Sequence, residues 1–236
     1  MLIAVPSKGR AGKVKTAAVL PNCTLFVPKA EAADYSRHYR NVIAVPDDVR
    51  GITKTRNWIL DNAGDKWVVM IDDDVKCAGW TELKGNCSAR RSFTEAVWLD
   101  EFRKLFELTE DMQYRIWGIA TQSALRSIYP WSPILFHSYI TGSCMGIVNN
   151  GIRFDESFPV KEDYEICLRC IKEDGGVVAA RFIYWENSHW SDDGGCKTYR
   201  TQEMEETCIR QLVAKYPKQI RRVERKGQEF CIQLEF

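Results

Sequence analysis

Three consecutive carboxylates, Asp72, Asp73 and Asp74, follow the short apolar run Trp67–Ile71. If the chain stays extended there, Asp72 and Asp74 point to one side and Asp73 to the other, because side chains alternate along a strand. Neighbouring carboxylates repel each other, and a divalent cation held by oxygen ligands, Mg²⁺ or Mn²⁺, removes that repulsion. The pattern indicates a metal site, but it is equally typical of a solvated acidic turn or a helix N-cap.

A second candidate is a short loop near the N-terminus that combines a glycine, a hydroxyl and two cations: Pro6, Ser7, Lys8, Gly9 and Arg10. It follows a predicted strand at residues 2–5. Backbone N–H groups of such a loop approach a phosphate closely, and its cations neutralise the phosphate charge. The P-loop spacing is absent, so an ordinary surface turn explains this segment as well as a nucleotide-binding loop does.

Two further acids, Glu162 and Asp163, stand at the start of a predicted helix. Tyr164, Cys167 and Leu168 have the spacing of that helix's buried face. Carboxylates in a first helical turn are stabilised by the helix dipole, which accounts for both acids without any catalytic role.

His189 lies beside an acidic, glycine-rich segment at residues 191–195. A histidine on a mobile lid is a candidate metal ligand, and the alternative is an ordinary loop histidine. Arg56, on a helix predicted at residues 51–63, is close in sequence to the acidic strand. It either brings a guanidinium near the three aspartates or lies on a solvated helix face.

An aromatic loop at residues 122–133 contains Tyr129 and Trp131. Such rings stack on a nucleobase or a sugar, although aromatic residues near strands more often belong to a core. Positive charge is concentrated in the C-terminal segment 215–226. Because the formal net charge of the whole chain is only +1, a polyanionic partner must be held by a local patch of this kind.

Strands that alternate with helices have to position these residues, and this alternation predicts an α/β fold with a parallel, doubly wound sheet. The predicted strands are residues 2–5, 24–27, 42–45, 67–71 and 117–121, and the predicted helices are residues 13–20, 29–39 and 51–63.

The second half of the chain is predicted to mix short strands with longer helices. Residues 77–91 are predicted to be irregular, and Ser92-Phe93-Thr94-Glu95 has the pattern of a capping box that opens a long helix. The other predicted elements are a strand pair at 134–140 and 144–148, a strand at 177–184, a helix at 201–215 and a hairpin at 221–236.

The length of 236 residues and the 45% apolar content suit one domain with a substantial core. No signal-like or membrane-spanning apolar run is present, so we expect a cytoplasmic protein without a membrane partner. The nine cysteines are an odd number and are scattered, which favours reduced core residues. Cys167 and Cys170 lack a second pair at zinc-finger spacing and are also expected to lie in the core.

The order of these segments resembles the GT-A fold glycosyltransferases over nearly the whole chain. The resemblance rests on the first strand and its loop, Thr55-Arg56-Asn57, the apolar strand with its three aspartates, Glu162-Asp163 and His189. It implies a mixed, mostly parallel sheet flanked by helices, in one domain with a nucleotide-binding half at about 1–75 and a catalytic, acceptor-binding half at about 76–236.

The resemblance also implies roles for individual residues. The donor nucleotide sugar would be bound by the 6–10 loop, Arg56, Asn57, Asp72 and Asp73; Mn²⁺ or Mg²⁺ by Asp74, Asp72 and His189; and Asp163 would be the catalytic base, with Glu162 the second choice. A metal there stabilises the leaving diphosphate, and a base removes the proton of the attacking hydroxyl.

Residues 6–10 together with Gly51-Ile52-Thr53-Lys54-Thr55-Arg56-Asn57 look more narrowly like the phage-encoded TET-associated glycosyltransferases. That resemblance implies a UDP-sugar donor and, as acceptor, a 5-hydroxymethylpyrimidine in DNA inside the host cell. A base in duplex DNA would have to be flipped out, and Arg90, Arg91, Tyr129 and Trp131 would contact the DNA. Three alternatives remain: a GT-A enzyme acting on a glycan, lipid or protein, a nucleotidyltransferase, and a sugar-nucleotide-binding module without activity.

Overall fold

The computed structural model describes residues 1–84, 87–119, 132–187, 200–225 and 228–234, with the backbone alone at 81–91 and from residue 224 onwards. The strands are β1 (Leu2–Pro6), β2 (Thr24–Pro28), β3 (Val42–Val45), β4 (Trp67–Ile71), β5 (Val75–Lys84), β6 (Cys87–Ser92), β7 (Ile116–Ile119), β8 (Ile134–Leu135), β9 (Cys144–Val148), β10 (Val178–Ala180), β11 (Ile183–Asn187), β12 (Ile220–Arg225) and β13 (Gln228–Leu234). The helices are α1 (Thr16–Val19), α2 (Ala32–Ser36), α3 (Ile52–Asn62), α4 (Glu95–Asp111), α5 (Glu162–Asp174) and α6 (Gln202–Lys215), with one 3-10 turn at Lys29–Glu31.

A large mixed sheet forms the centre of the described chain, with the strand order β3-β2-β1-β4-β9-β7-β10-β8. The strands β3, β2, β1 and β4 are mutually parallel, as the alternation of strands and helices predicts. Strand β9 is antiparallel to both of its neighbours, β4 and β7. The predicted parallel order thus holds for these four strands, and the mixed, mostly parallel sheet is confirmed.

Strand β4 lies at the middle of this sheet and is apolar on both faces. Val69 and Ile71 pack into one hydrophobic cluster of the core, and Val68 and Met70 pack into the other. The buried central strand predicted before the aspartates is thus confirmed, and the acidic residues follow directly after its last residue, Ile71. Cys167 and Cys170 are fully buried free cysteines, in agreement with a core role.

A second, smaller sheet has the order β11-β5-β6. Its β5–β6 hairpin occupies most of the segment predicted to be irregular, so that prediction is wrong. The prediction of a single strand at residues 177–184 is also wrong. This segment forms two strands, β10 and β11, which belong to the large and the small sheet respectively.

Three other local predictions need correction. The capping box at Ser92 does not form, because Thr94 is the N-cap of α4 and accepts a hydrogen bond from the Val97 N–H. The strand predicted at residues 134–140 is reduced to the two residues of β8, which pair with β10 and not with β9. The first two predicted helices shrink to the short helices α1 and α2.

The C-terminal part consists of α6 followed by the predicted hairpin, β12–β13. Helix α6 packs against α5 and the segment before it, in a small cluster formed by Phe158, Val160, Leu168, Cys208, Leu212, Tyr216 and Ile220. Within the described residues, no helix combines the length and the apolar character needed to cross a membrane.

Candidate functional site

Hydrogen bonds to its own backbone groups fix the turn that carries the three aspartates at the carboxyl end of β4. Thr16 donates its hydroxyl to the Asp72 carbonyl at 2.5 Å, and the Thr16 hydroxyl accepts from the Val75 N–H at 3.0 Å. On the other side, the Asp72 N–H donates to the Ser143 carbonyl at 3.0 Å. The first residue of α1 and the residue just before β9 therefore hold the acidic turn in one conformation.

Asp73 joins this turn to the 6–10 loop. The Ser7 hydroxyl donates to one oxygen of its carboxylate at 2.5 Å, and the Arg10 guanidinium donates to the other. Tyr35, which is fully buried, accepts from the Arg10 N–H at 2.9 Å and bonds to Ser7 at 2.8 Å. Burial raises the pKa of Asp73, although Ser7 and Arg10 oppose that rise. Both oxygens of Asp73 bind the loop, and its contact with the donor stays a prediction.

Asp72 lies next to a different set of residues, although the chain turns at Asp73 and Asp74 and does not stay extended. Burial raises its pKa to about 6, while Arg56 and a hydrogen bond from Ser143 act to lower it, and the neighbouring Asp74 and Asp73 raise it further. The carboxyl is therefore in a site where added positive charge is strongly favoured.

Arg56 is 4% exposed, so the alternative of a solvated helix face is wrong. Its guanidinium donates to Glu162 Oε1 at 2.6 Å and to the Gly142 carbonyl at 2.7 Å, and it is close enough to affect the titration of Asp72. A Cβ atom on Gly142 would lie 2.6 Å from Arg56 Nη1, so a glycine is needed at this position. Arg56 thus connects the acids of β4 with the acids of α5.

Glu162 and Asp163 lie in the first turn of α5, and both carboxylates are engaged in tertiary contacts. Burial raises the pKa of Glu162 to about 7, with Arg56 acting to lower it and Asp163 to raise it. Asp163 accepts from the Tyr139 hydroxyl, from the Gly142 N–H at 3.1 Å and from the Tyr164 N–H at 2.9 Å. Only the last of these bonds belongs to the helix, so capping alone does not account for Asp163.

The arrangement of Asp163 leaves it able to act as a proton acceptor. An ionised carboxylate offers about four lone-pair positions, and three are used by the donors described above. Tyr139 stacks on Tyr164 at 4.0 Å between ring centroids and is buried against the carboxylate that it bonds. These donors fix the direction of the remaining lone pair.

Asp74 is the acid whose geometry fits a metal ion. Its Oδ1 atom is buried and has no hydrogen-bond partner, a situation that a cation relieves. Within the described part of the chain no three His, Cys, Asp or Glu side chains come together as a complete metal site. His189, the third predicted ligand, lies outside the described residues.

In the 6–10 loop, Lys8 and Gly9 are exposed. The Gly9 N–H donates to Glu31 at 2.7 Å, and Gly9 has a φ of 71°, which favours glycine. Among the described residues, no ion pair or hydrogen bond of the Lys8 side chain is present. Lys8 is therefore the cation of the loop best placed for a phosphate. Glu31 and Tyr35 were not predicted, because no local pattern marks a residue that contacts a loop more than twenty positions away.

Asn57 is 7% exposed, and its amide donates to the Phe154 carbonyl at 3.0 Å and accepts from the Phe154 N–H at 2.8 Å. It therefore positions the segment that leads to α5, and its contact with the nucleotide sugar stays a prediction.

The acceptor contacts of Arg90, Arg91, Tyr129 and Trp131 stay predictions. Arg90 and Arg91 belong to β6, where the structure describes only the backbone, and Tyr129 and Trp131 fall outside the described residues. The C-terminal basic segment is partly neutralised: Lys215 pairs with Asp155 and Glu165, and Arg222 pairs with Glu206.

The sequence model of a protein family described as TET-Associated Glycosyltransferase matches residues 1–195 of this chain. Among curated proteins, no sequence matches significantly.

Solved structures with a similar fold include glucosyl-3-phosphoglycerate synthase from Mycobacterium tuberculosis. Its complex with Mn²⁺, UDP-Glc and phosphoglyceric acid has a TM-score of 0.55 and 11% identity, covering 90% of this chain and 78% of that chain. Its complex with Mg²⁺ and UDP has a TM-score of 0.53 and 10% identity, covering 90% and 78%. At this identity the likeness establishes the fold alone, and it confirms the GT-A fold that the sequence predicts.

Proposed function

The chain belongs to the TET-associated glycosyltransferase family, and from that premise we propose that it transfers a sugar from a UDP-sugar to a hydroxymethylpyrimidine in DNA, most simply 5-hydroxymethylcytosine. The enzyme class follows from the family, while the donor, acceptor, metal and residue roles are our proposal. The observation that carries it is the position of Arg56. It bonds Glu162 at 2.6 Å and lies near Asp72, so the strand-end acids and the α5 acids form one site.

The donor is held at the carboxyl end of β4. Lys8 of the 6–10 loop, Arg56 and Asp72 contact the nucleotide sugar, and Asp73 and Arg10 keep that loop against the acidic turn. The use of a UDP-sugar draws on the synthase complexes that contain UDP-Glc or UDP in the same fold.

Mn²⁺ or Mg²⁺ is held by Asp74 with Asp72 and His189. The partnerless buried oxygen of Asp74 supports this assignment, because an unpaired buried carboxylate oxygen is costly. Bound there, the metal would supply positive charge to the departing diphosphate.

Asp163 is the base, with Glu162 as the second choice. The oxygen of the acceptor hydroxymethyl group forms a bond to the anomeric carbon, and the bond between that carbon and the UDP oxygen breaks. The hydroxyl proton passes to the Asp163 carboxylate, and UDP leaves. The three donors around Asp163 hold its carboxylate in one orientation, which is what a base in this step requires.

The DNA acceptor rests on the family and on groups that can contact a nucleic acid. Arg90 and Arg91 in β6 would contact phosphates, and Tyr129 and Trp131 would stack on a flipped base. We place the reaction in the cytoplasm, which is the host cytoplasm if the protein is phage-encoded.

The test is an assay of UDP release with Mn²⁺ and a panel of UDP-sugars. Duplex DNA containing 5-hydroxymethylcytosine is compared with the same duplex containing cytosine. We expect release that depends on the hydroxymethyl group and is abolished by EDTA. Equal release with both duplexes across the whole donor panel would contradict the proposed acceptor and favour a glycan, lipid or protein acceptor.

A further inference from the structure

Lys161, the residue before the Glu162-Asp163 pair, has an unusual backbone conformation. It is the N-cap of α5 and has φ 64° and ψ 16°, in the left-handed region. Among the described residues, Gln113 is the other non-glycine residue with positive φ. This conformation is unfavourable for a residue with a side chain, so it persists only where the surrounding structure enforces it.

The side chain of Lys161 contacts α6. Lys161 Nζ lies 3.0 Å from Glu205 Oε2, and both side chains are largely buried, at 14% and 7% exposure. Arg200, just before α6, pairs with the same carboxylate. Burial acts to raise the pKa of Glu205, but Arg200 and Lys161 outweigh burial and hold that pKa below its usual value. Glu205 is therefore a buried anion shared by two cations.

The C-terminal end of α6 contacts α5 and the segment before it. Lys215 Nζ lies 2.8 Å from Asp155 and 2.9 Å from the fully buried Glu165, and the Tyr216 hydroxyl donates to Glu165 at 3.0 Å. The first turn of α5 is thus connected to α6 through Lys161 on one side and through Glu165 on the other.

Helix α6 begins at Gln202, beyond the residues 1–195 that match the family. We propose that α6 is a positioning element of the catalytic site, and that Lys161 and Glu205 are positioning residues that hold the first turn of α5 so that Asp163 faces the acceptor. The proposal rests on the role of Asp163 as base. It assigns a function to a segment that the family match does not cover.

This role follows from two features of Lys161, its left-handed backbone and its buried ion pair with Glu205. If Glu205 loses its charge, the buried Lys161 ammonium loses its partner, and the left-handed turn loses the contact that enforces it. The first turn of α5 then samples other conformations, and the Asp163 oxygen leaves the line of attack. Among the described residues, no hydrogen bond or ion pair joins Glu205 to Lys8 or Asp72, so donor binding should change less than turnover.

The test compares Glu205→Gln with Glu206→Gln. Glu206 pairs with Arg222 and not with Lys161, so its replacement is a matched control for removing one charge from α6. Amide hydrogen exchange is measured on the peptide spanning residues 158–166. We also measure kcat and donor KM with UDP-glucose, Mn²⁺ and DNA containing 5-hydroxymethylcytosine, alongside Asp163→Asn.

For Glu205→Gln we expect faster exchange in that peptide and a fall in kcat of roughly tenfold or more, with donor KM changed by less than about twofold. Lys161→Gly should lower kcat similarly while folding normally, since glycine adopts this φ without strain. The double variant should be no worse than either single variant, because both remove the same interaction. Glu206→Gln should behave as wild type.

Unchanged exchange at residues 158–166 in Glu205→Gln would overturn the inference, whatever substrate the enzyme uses. Wild-type kcat in both Glu205→Gln and Lys161→Gly, with Asp163→Asn inactive, would overturn it while leaving the proposed function in place. Full activity of Asp163→Asn would overturn both.

Discussion

Arg56 and Glu162 form a buried ion pair, 2.6 Å between Nη1 and Oε1, with side chains only 5% and 9% exposed. The pair links α3 to the first turn of α5, and the same guanidinium acts on Asp72 at the end of β4. The end of β4 and α3, which are close in sequence, are thereby joined to α5, which begins 106 positions after Arg56. Because a buried charge without its partner is costly, the pair gives the first prediction.

Replacing Arg56 with methionine leaves Glu162 and Asp72 buried without their cation. We expect a loss of about 3 kcal/mol in the free energy of unfolding at a pH above 7, where Glu162 is charged, together with loss of transfer. Urea denaturation measures the loss. Arg153→Met is the control, because its pair with Asp61 is more exposed and should contribute less than about 1 kcal/mol. Equal losses in both variants would contradict the importance of the buried pair.

Gly142→Ala should displace the Arg56 guanidinium, since the new Cβ would meet Nη1 at 2.6 Å and Nη2 at 2.8 Å. We expect the folded variant to lose most of its transfer activity. Gly64→Ala is the comparison: its Cβ meets open space, but its φ of 65° is unfavourable for alanine. That variant should lose stability and keep its specific activity. Normal specific activity in Gly142→Ala would show that the guanidinium position is not required.

Glu162 gives a prediction about pH. Burial raises its pKa to about 7 in the folded protein, above the ordinary value of 4.5, so folding favours the protonated form. Its stabilising contribution is complete below pH 4.5 and is lost as the pH rises through 7. Relative to wild type, Glu162→Gln should therefore gain stability between these two pH values. Parallel denaturation curves at several pH values measure this difference, and a constant difference would contradict the raised pKa.

The metal prediction concerns the partnerless oxygen of Asp74. Asp74→Asn should keep the fold but lose Mn²⁺ binding in titration calorimetry, and transfer with it. Asp48→Asn, at an exposed acid on the same half of the chain, is the control and should bind Mn²⁺ as wild type does. Full activity of the wild-type enzyme in EDTA would contradict the assignment.

Much of the fold could be predicted from the sequence because its signals are local. The apolar run of β4, the strand at Val42–Val45 and the helix from Gln202 are each marked by composition and by a change of periodicity. The sequence does not indicate the β5–β6 hairpin, because its strands mix apolar with polar and basic residues and its pairing depends on β11, about a hundred residues later.

The acidic residues of the site could be predicted from the sequence, but the contacts that join them to other segments could not. Asp73 bonds Ser7 and Arg10, and Asn57 bonds Phe154, which the sequence does not indicate; the donor contacts expected of both residues stay predictions. In both cases the residue type is correct for a polar site, but which partner it finds is decided by tertiary packing. Lys161 has no sequence signal at all, because a left-handed lysine is imposed by its surroundings.

The most direct test of the central claim is mass spectrometry of nucleosides from DNA incubated with the enzyme, Mn²⁺ and a panel of UDP-sugars. Duplexes containing 5-hydroxymethylcytosine or cytosine are digested in parallel. We predict that one sugar is added to 5-hydroxymethylcytosine alone, and that Asp163→Asn, with donor binding intact, lowers the rate by about 10²- to 10⁴-fold. Unmodified nucleosides from both duplexes, across every donor tested with metal present, would contradict the claim.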